Sequence, residues 1–363
     1  MLVVFRVDAS SNIGSGHVVR CLTLAEALRE NGASVEFISR PHEGHLCELI
    51  EKRGFNVFRL PQPSTVVYSG ESKYSSWLGV DWKDDAMQTK SIISSYKKYP
   101  DWLIVDHYAI DKNWEKSLRS ITKKIFVIDD IADRQHDCDY LLNQNLIEDI
   151  HARYTSKVPE HCILLIGPKY ALLQSIYKEL HERTVLRKGP IGNVIIFFGG
   201  FDTHNLTGLV LKAFLSLKRS DIKINIVINR YSPHFDSLQL IASEHVYIKL
   251  HSNLPSLAPL LAKADLAIGA SGCASWERLC LGLPSLIIAT ADNQKPIAAK
   301  LSDQGLIEYL GNFEQITEEK ISIKLKQIFE NGISEKWSKK CRDMVDGKGV
   351  ERVCESMGIS FEN

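Results

Sequence analysis

Residues 2–25, LVVFRVDASSNIGSGHVVRCLTLA, contain the pattern that decides the fold. The apolar run Leu2–Val7 predicts a buried strand, and the polar segment 8–16 that follows it contains two glycines. Apolar residues then recur at helical spacing, at positions 18, 22, 25 and 28. A strand, a glycine-containing loop and a helix make up the β-loop-α unit from which parallel sheets are built.

The same alternation continues through the first half of the chain. Further buried strands are predicted at residues 35–38, 102–105, 126–128 and 163–166, and the stretches between them are long enough for crossover helices. Residues 61–85, which are rich in serine and aromatic side chains, show no clean period and predict an irregular excursion over the first sheet.

A second α/β series follows an interruption at residues 187–192, where charges and helix breakers predict a linker. Its predicted strands are 194–198, 223–228, 266–269 and 285–289, and its predicted helices include 206–217 and 275–281. We therefore expect an α/β protein of the GT-B-like class, with two facing Rossmann-like domains and a ligand cleft between them. The expected parts are residues 1–186, residues 193–334 and a C-terminal helix over 335–363 that packs back on the domains.

Composition and charge exclude several classes of function. The 363 residues include 44 Lys and Arg and 44 Asp and Glu, so bulk charge does not favour binding to nucleic acid or to anionic membranes. The N-terminus lacks the basic segment of a signal peptide, and no apolar run approaches the ~20 residues of a membrane span. Eight cysteines without a CxxC pair indicate reduced structural thiols. We expect a cytoplasmic protein without nucleic-acid or membrane partners.

The first candidate site is the turn that contains Gly14, Gly16 and His17. Its glycines let the backbone come close to a ligand, and the helix that follows directs free N–H groups at it. The helix dipole disfavours a protonated imidazole at this end, which makes His17 a candidate general base. Arg20 lies one turn further on and can reach a phosphate or carboxylate. A tight turn that starts a helix explains the same residues equally well, because a lone GxG is a weak signal.

The second half contains two further turns at the predicted carboxyl ends of strands, where open α/β sheets bind ligands. In the first turn, Gly199, Gly200 and Asn205 precede a helix, although Thr203 or Asn205 can simply cap that helix. In the second turn, Ser271, Gly272 and Ser275 are small enough to admit a diphosphate to a helix start. We predict a nucleotide site formed by both turns.

Other polar residues near these turns are candidates for contacts to the ligand. Glu277 suits the two hydroxyls of a ribose, although an acidic residue early in a helix also stabilises the helix dipole without a ligand. The amides of Asn293 and Gln294 can bind a sugar hydroxyl or acetamido group. Asp106 and Tyr108 follow a predicted strand and should face the ligand. The pair at 129–130 lacks a third ligand for a metal, so no metal or cofactor is expected.

Several separated motifs resemble the UDP-sugar hydrolases of pseudaminic acid biosynthesis, a family that includes spore-coat polysaccharide proteins. The motifs are residues 6–25, VDHY at 105–108, IDDIADR at 128–134, LLNQN at 141–145, GPKYALL at 167–173, FGG at 198–200, WER at 276–278, LGLP at 281–284 and NQ at 293–294. They occur in the order typical of the family, so the likeness extends over much of the chain.

The resemblance implies a GT-B fold and a specific reaction. In that reaction water displaces UDP from UDP-2,4-diacetamido-2,4,6-trideoxy-β-L-altropyranose. We expect water to attack on the face opposite UDP, with inversion, and helix N–H groups to stabilise the leaving diphosphate without a metal. The resemblance makes His17 the general base, Glu277 a contact to ribose or uridine and Asn293 a contact to the substrate. Either Asp8 or Asp106 is expected to orient His17.

Two residues depart from the pattern of the family. Gln174 replaces a common arginine and is expected to contact substrate in its place, and Phe201 replaces a small hydroxyl residue after the two glycines. These differences leave open a different UDP-diacetamido sugar. A UDP-sugar-dependent glycosyltransferase and a protein that binds UDP-sugar without turnover are the alternatives from other classes. The absence of an evident membrane-docking helix disfavours a transferase with a lipid acceptor.

Overall fold

The protein, described as a computed structural model over residues 1–62 and 74–359, contains two compact units. The first unit comprises Met1–Leu172 and Gly349–Asn363, and the second comprises Leu173–Lys348. Each unit is built on one parallel sheet with helices packed on it.

The sheet of the first unit has seven strands among the described residues. They are β1 (Leu2–Val7), β2 (Ser34–Ser39), β3 (Asn56–Arg59), β4 (Trp102–Asp106), β5 (Lys124–Ile128), β6 (Tyr140–Asn143) and β7 (Ile163–Ile166). They lie in the order β3-β2-β1-β4-β5-β6-β7 and every pair is parallel. Val7 of β1 is in register with Asp106 of β4, so the segments after these two strands begin side by side.

The sheet of the second unit has six strands. They are β8 (Asn193–Phe197), β9 (Lys223–Val227), β10 (Ile248–His251), β11 (Leu266–Gly269), β12 (Ser285–Ala289) and β13 (Glu308–Asn312). Their order is β10-β9-β8-β11-β12-β13, again with parallel pairing throughout. The carboxyl ends of the two central strands, β8 and β11, therefore share one edge with that of β12.

Helices connect the strands in both units. In chain order they are α1 (Gly16–Glu30), α2 (Cys47–Lys52), α3 (Trp82–Ser94), α4 (Lys112–Leu118), α5 (Ile150–Tyr154), α6 (Ser175–Arg183), α7 (Leu206–Ser216), α8 (Phe235–Glu244), α9 (Ala258–Lys263), α10 (Ala274–Cys280), α11 (Lys295–Asp303), α12 (Glu318–Asn331), α13 (Glu335–Arg342) and α14 (Gly349–Ser356). Within the described ranges, no helix is both long enough and apolar enough to span a bilayer.

Burial on both faces of the sheet explains the continuous apolar runs of the sequence. In β1, Val3 and Phe5 pack into the core that contains α1, whereas Val4 packs into the core on the opposite face. All three side chains are fully buried. The second unit has a comparable core around Val194 and Ile196 of β8.

The division between the units differs from the predicted linker at residues 187–192. It falls after Leu172, because α6 packs on α9 and α10 of the second unit. Tyr177 of α6 is fully buried there. Arg187, which the charge pattern assigned to an exposed linker, is also buried and donates hydrogen bonds to the carbonyls of Leu261 and Ala264.

The C-terminal segment 335–363 forms two helices in its described part, where the sequence predicted one. The helix α13 packs on α10 in the second unit, and Ser338 Oγ donates to the Gly282 carbonyl at 2.6 Å. The helix α14 packs on α1 in the first unit. Gly349, the first residue of α14, lies against the backbone of Ala171. An added Cβ would stand 2.2 Å from the Ala171 carbonyl oxygen, which excludes any larger residue.

The predicted irregular excursion at residues 61–85 lies partly outside the described residues, since 63–73 are not described. Its described part contains a 3₁₀ turn at Ser75–Leu78 and the start of α3. Asp81 caps α3 by accepting a hydrogen bond from the Lys83 backbone N–H.

Candidate active site

The turn before α1 places His17 in the first turn of that helix. Gly14 adopts a φ of 81°, which a residue with a side chain rarely tolerates, and its N–H donates to the Ser10 carbonyl at 2.8 Å. The Ser10 hydroxyl accepts a hydrogen bond from the Ile13 N–H at 2.9 Å. The loop is thus closed on itself just before α1, the helix that carries His17.

His17 is joined to Asp106, the last residue of β4. His17 Nδ1 lies 2.6 Å from Asp106 Oδ1, and the carboxylate is fully buried. Burial alone raises the pKa of Asp106, but the charges of Arg20 and His17 outweigh it and hold the pKa well below its ordinary value. An ionised carboxylate can accept the Nδ1 proton of His17, and in the neutral imidazole this tautomer leaves the lone pair on Nε2. The structure therefore selects Asp106, and not Asp8, as the residue that orients His17.

Arg20 holds this carboxylate in place. Its Nε donates to Asp106 Oδ2 at 2.6 Å, its Nη2 to Asp106 Oδ1 at 2.7 Å and its Nη1 to Asp130 Oδ2 at 2.6 Å. The residue is only 3% exposed. The predicted contact of Arg20 and Asp106 with substrate stays a prediction, and their pairing adds a second role, which is to position His17.

Asp130 is the centre of a second set of hydrogen bonds. The Tyr108 hydroxyl donates to its Oδ2 at 2.7 Å, and Asn145 Nδ2 donates to its Oδ1 at 2.8 Å. Burial, with the charge of Asp130 next, raises the pKa of Tyr108 well above its ordinary value, so this hydroxyl keeps its proton. The predicted site residue Tyr108 thus lies beside His17 with its hydroxyl already engaged.

Asp129, the other member of the acidic pair, is engaged elsewhere. It accepts hydrogen bonds from Arg134 Nη1 and from the Tyr154 hydroxyl. Burial raises its pKa, but the charges of Arg134 and His136 and the Tyr154 hydrogen bond lower it to about 2. Across the described residues, no group of three or more His, Cys, Asp or Glu side chains is arranged to hold a metal.

Asp8 belongs to a separate buried cluster. It accepts hydrogen bonds from Arg6 Nη1 at 2.6 Å and from the Arg40 backbone N–H at 2.7 Å. The Nε2 atoms of His42 and His107 each lie 3.4 Å from its other oxygen. This cluster stabilises the carboxyl edge of β1 and explains why Asp8 is not available to His17.

Three aromatic rings lie against the His17 site. Tyr108 and Trp77 stack with ring centroids 5.6 Å apart and an interplanar angle of 22°. Tyr74 packs edgewise on both rings, at 4.7 Å from Trp77 and 5.2 Å from Tyr108. The edge of His17 meets Tyr108 at 4.6 Å and Trp77 at 6.4 Å. Sequence reasoning missed Tyr74 and Trp77, because they lie in a segment without periodicity.

In the second unit, the first predicted nucleotide turn is organised by Asp202. Its carboxylate accepts hydrogen bonds from the backbone N–H groups of Leu206 at 3.0 Å and Thr207 at 2.8 Å, so it caps α7. The sequence assigned the possible cap to Thr203 or Asn205, and the structure corrects this. Asn205 is exposed and left-handed, with a φ of 52°, and Gly199 has a φ of 95°. A diphosphate therefore would not find free N–H groups at Leu206 and Thr207.

The second predicted nucleotide turn follows β11 and is closely packed at Gly269, the last residue of that strand. A Cβ on Gly269 would lie 2.3 Å from the Phe197 carbonyl oxygen. Ser271 Oγ is buried and has no hydrogen-bond partner, whereas Ser275 Oγ accepts a hydrogen bond from Arg278 Nη2 at 3.0 Å. Gly272 has open space where a side chain would stand. This turn therefore has an unsatisfied hydroxyl at Ser271 and open space at Gly272, as a ligand site needs.

Glu277 of α10 has an unsatisfied oxygen close to this turn. Its Oε2 is buried without a hydrogen-bond partner, and so is the Tyr177 hydroxyl. Burial raises the pKa of Glu277 to about 7, against the smaller lowering effects of Tyr177 and Arg278. A carboxylate with a free oxygen can accept hydrogen bonds from ligand hydroxyls.

The remaining predicted site residues lie at element ends of the second unit. Asn293 and Gln294 form a 3₁₀ turn before α11, and Gln294 Oε1 accepts hydrogen bonds from the Thr290 N–H and hydroxyl. This leaves the amide nitrogen of Gln294 for other partners. Gln174 is the residue before α6 and its side chain does not cap the helix. Phe201 is partly buried, and its carbonyl accepts a hydrogen bond from Ser232.

Solved structures of similar fold define the class of protein. MurG of Acinetobacter baumannii superposes with a TM-score of 0.64 at 13% identity and covers 98% of this chain and 99% of its own. The UDP-GlcNAc 2-epimerase of Neisseria meningitidis, bound to UDP-GlcNAc, gives a TM-score of 0.62 at 13% identity and covers 99% of both chains. The α/β, GT-B-like fold class predicted from the sequence is confirmed.

Relatives in sequence define the family. The UDP-2,4-diacetamido-2,4,6-trideoxy-beta-L-altropyranose hydrolase of Campylobacter jejuni is 31% identical over 312 residues, which cover 85% of this chain and 99% of the relative. The spore coat polysaccharide biosynthesis protein SpsG of Bacillus subtilis is 24% identical over 98% of this chain and 97% of its own. The chain belongs to the family of the Campylobacter hydrolase.

A further relative in sequence is longer than this chain. An uncharacterised protein of Methanocaldococcus jannaschii is 26% identical over 302 residues, which are 81% of this chain but 57% of that longer protein. No protein-family model matches the chain.

Proposed function

We propose that the protein is an inverting UDP-sugar hydrolase that transfers the sugar to water. The observation that carries the proposal is the contact between His17 and the ionised Asp106, which leaves Nε2 as the proton acceptor of the imidazole. Membership of the family of the Campylobacter hydrolase supports the choice of water as acceptor. The proposed substrate is UDP-2,4-diacetamido-2,4,6-trideoxy-β-L-altropyranose, the sugar nucleotide in the name of that relative.

The general-base step follows from this arrangement. Nε2 of His17 takes a proton from water as the water oxygen forms a bond to the anomeric carbon and the bond from that carbon to the UDP oxygen breaks. Asp106 stabilises the imidazolium that forms, and Arg20 keeps Asp106 ionised and oriented. Attack opposite the leaving group inverts the configuration at the anomeric carbon.

The nucleotide contacts are proposed in the second unit. Ser271, Gly272 and Ser275 bind the diphosphate, and Glu277 binds the ribose hydroxyls through its unsatisfied oxygen. Gly199, Gly200 and Asn205 border the nucleotide, although the Asp202 carboxylate directs the diphosphate away from the start of α7. Asn293, Gln294 and Gln174 are proposed to contact the sugar.

The test is release of UDP from the proposed substrate by the purified protein, with EDTA present and no acceptor added. The proposal predicts release at a rate that no added acceptor increases. Release only after addition of an acceptor would instead identify a glycosyltransferase. Binding of the substrate without any release would identify a different sugar as substrate or a protein that only binds the nucleotide.

A further inference from the structure

We propose that Tyr74, Trp77 and Tyr108 form an aromatic wall that binds the methyl groups of the sugar, so that the enzyme prefers a 6-deoxy diacetamido sugar to a sugar with a C6 hydroxyl. This inference rests on the proposed hydrolase function. It adds two residues, Tyr74 and Trp77, that determine specificity at the site of His17.

The wall is held rigidly at one side. The Tyr108 hydroxyl is fixed to Asp130 by a hydrogen bond of 2.7 Å, and its ring is 4% exposed. Trp77 stacks on that ring, and Tyr74 closes the group against both. Because Tyr108 also touches the edge of His17, the wall has a fixed position relative to the proposed base.

The wall is also open at the other side. Tyr74 and Trp77 are only partly buried, whereas Tyr108 is buried. The charged groups that contact His17, Asp106 and Arg20, are bound to each other. A sugar beside His17 therefore meets apolar ring surface from the wall, and few free hydrogen-bonding groups from the buried ion pairs.

The chemistry of the proposed substrate fits this surface. The sugar carries the C6 methyl group and the methyl groups of two acetamido substituents, which gain free energy when they leave water for an aromatic surface. A C6 hydroxyl in the same place would lose its hydrogen bonds to water without replacement. The wall therefore favours the 6-deoxy sugar for two reasons. It contacts the methyl groups, and it offers no hydrogen-bond partner to a C6 hydroxyl.

The kinetic test uses Trp77→Ala and Tyr74→Ala, with Tyr99→Ala as a matched control at an aromatic residue of the same unit that is 47% exposed. We expect kcat/KM for the 6-deoxy substrate to fall by roughly 10–200-fold in the Trp77 variant, the range for loss of an apolar contact in a binding pocket. Inhibition by UDP, which has no sugar, should stay unchanged. UDP-GlcNAc serves as a competitive inhibitor, and its inhibition constant is compared with the KM of the 6-deoxy substrate. The ratio of these two constants should fall in the Trp77 variant.

A binding measurement separates this inference from the hydrolase proposal. In His17→Ala protein, which should turn the substrate over slowly, the methyl proton resonances of the bound sugar should move upfield because of ring currents. Trp77→Ala in the same background should reduce that shift, because one of the three rings is gone. Unshifted methyl resonances of a bound sugar would contradict the proposal that the wall binds its methyl groups. An unchanged kcat/KM in Trp77→Ala would contradict it as well. Bound and shifted methyl resonances in a wild-type protein that releases no UDP would contradict the hydrolase alone.

Discussion

His17 Nδ1 lies 2.6 Å from Asp106 Oδ1, and this contact joins the helix after β1 to the last residue of β4. The register of the sheet creates it, because Val7 and Asp106 are partners in adjacent parallel strands. Arg20, one turn after His17, binds both oxygens of the same carboxylate. A general base, the group that orients it and the cation that keeps that group ionised are thus positioned by one strand pair and one helix.

Replacement of His17 by Ala should reduce kcat by about 10²–10⁴-fold, the usual contribution of general-base assistance. Affinity for UDP should stay within a small factor of wild type, because the nucleotide contacts are proposed in the second unit. Steady-state kinetics and calorimetric titration with UDP measure the two effects. His151→Ala, at an exposed histidine of the same unit, should leave both unchanged. Wild-type turnover in His17→Ala would remove the base from the mechanism.

Asp106→Asn should lower kcat while KM changes little, because the amide can no longer fix the imidazole with its proton on Nδ1 or stabilise the imidazolium. The acid limb of the pH profile of kcat should move to lower pH, because the neutral amide no longer favours the protonated form of the imidazole. A purely structural role would reduce folded protein without moving that profile. Circular dichroism supplies the control for folding.

Asp85→Asn should destabilise the first unit by about 3–5 kcal/mol at pH 7, the cost of breaking a buried ion pair. Asp85 is fully buried and accepts hydrogen bonds from Arg6 Nη2 at 2.6 Å and Arg40 Nη2 at 2.7 Å, which would lose an anionic partner. Denaturation in urea measures the loss. Asp84→Asn, at its exposed neighbour, should cost less than about 1 kcal/mol, the scale of a helix-dipole effect. Equal effects of the two changes would contradict the account.

The acid stability of the protein should depend on the same buried carboxylates. Burial raises the pKa of Asp85, but Arg6 lowers it below its ordinary value, and Asp8 behaves in the same way. Their contribution to stability is present above the unfolded pKa of about 3.9 and is lost as the pH falls through the lower folded values. The free energy of unfolding should therefore decline below about pH 4. Asp85→Asn should show a smaller decline over the same pH window.

Uridine binding should depend on the ionisation of Glu277, whose pKa is about 7 in the free protein. The ionised carboxylate accepts hydrogen bonds from ribose hydroxyls, so affinity should weaken by up to about fivefold between pH 7 and pH 6. Uridine is the probe because it has no phosphate that titrates in this range. Glu277→Gln should bind uridine with an affinity independent of pH, and an unchanged pH dependence in that variant would exclude Glu277.

The stability of the free protein should depend on pH in the direction opposite to that of uridine affinity. Between pH 4.5 and about 7 the folded state keeps a proton on Glu277 that the unfolded chain releases. Stability of the second unit should therefore fall as the pH rises through this window. Urea denaturation of wild type and Glu277→Gln at both ends of the window measures the difference.

The sequence predicted the elements whose apolar runs are long and continuous. The strands Leu2–Val7, Ile163–Ile166 and Ser285–Ala289 have the predicted bounds. The strands β3, β6, β10 and β13 were not predicted, because each contains polar residues that shorten its apolar run. Short strands take their structure from pairing with a neighbour, which local pattern does not contain.

The site was predictable where its residues follow a strand and a glycine turn, as His17 does. The partners of these residues were not, because Asp106 and Asp130 are brought to Arg20 by strand order. The sequence interval between Arg20 and Asp130 gives no sign of a contact at 2.6 Å. Asp202 shows the same limit, since only the left-handed turn at Asp202 and Asn205 brings its carboxylate onto the start of α7.

The most direct test of the central claim follows hydrolysis of UDP-2,4-diacetamido-2,4,6-trideoxy-β-L-altropyranose in ¹⁸O-labelled water with EDTA present. Proton NMR identifies the anomer formed first, and mass spectrometry locates the label. The account predicts the inverted anomer, with ¹⁸O at the anomeric carbon and none in UDP. A retained anomer would contradict a single displacement by water at the anomeric carbon, and ¹⁸O in the released UDP would place the attack of water at phosphorus. Either result would contradict the account.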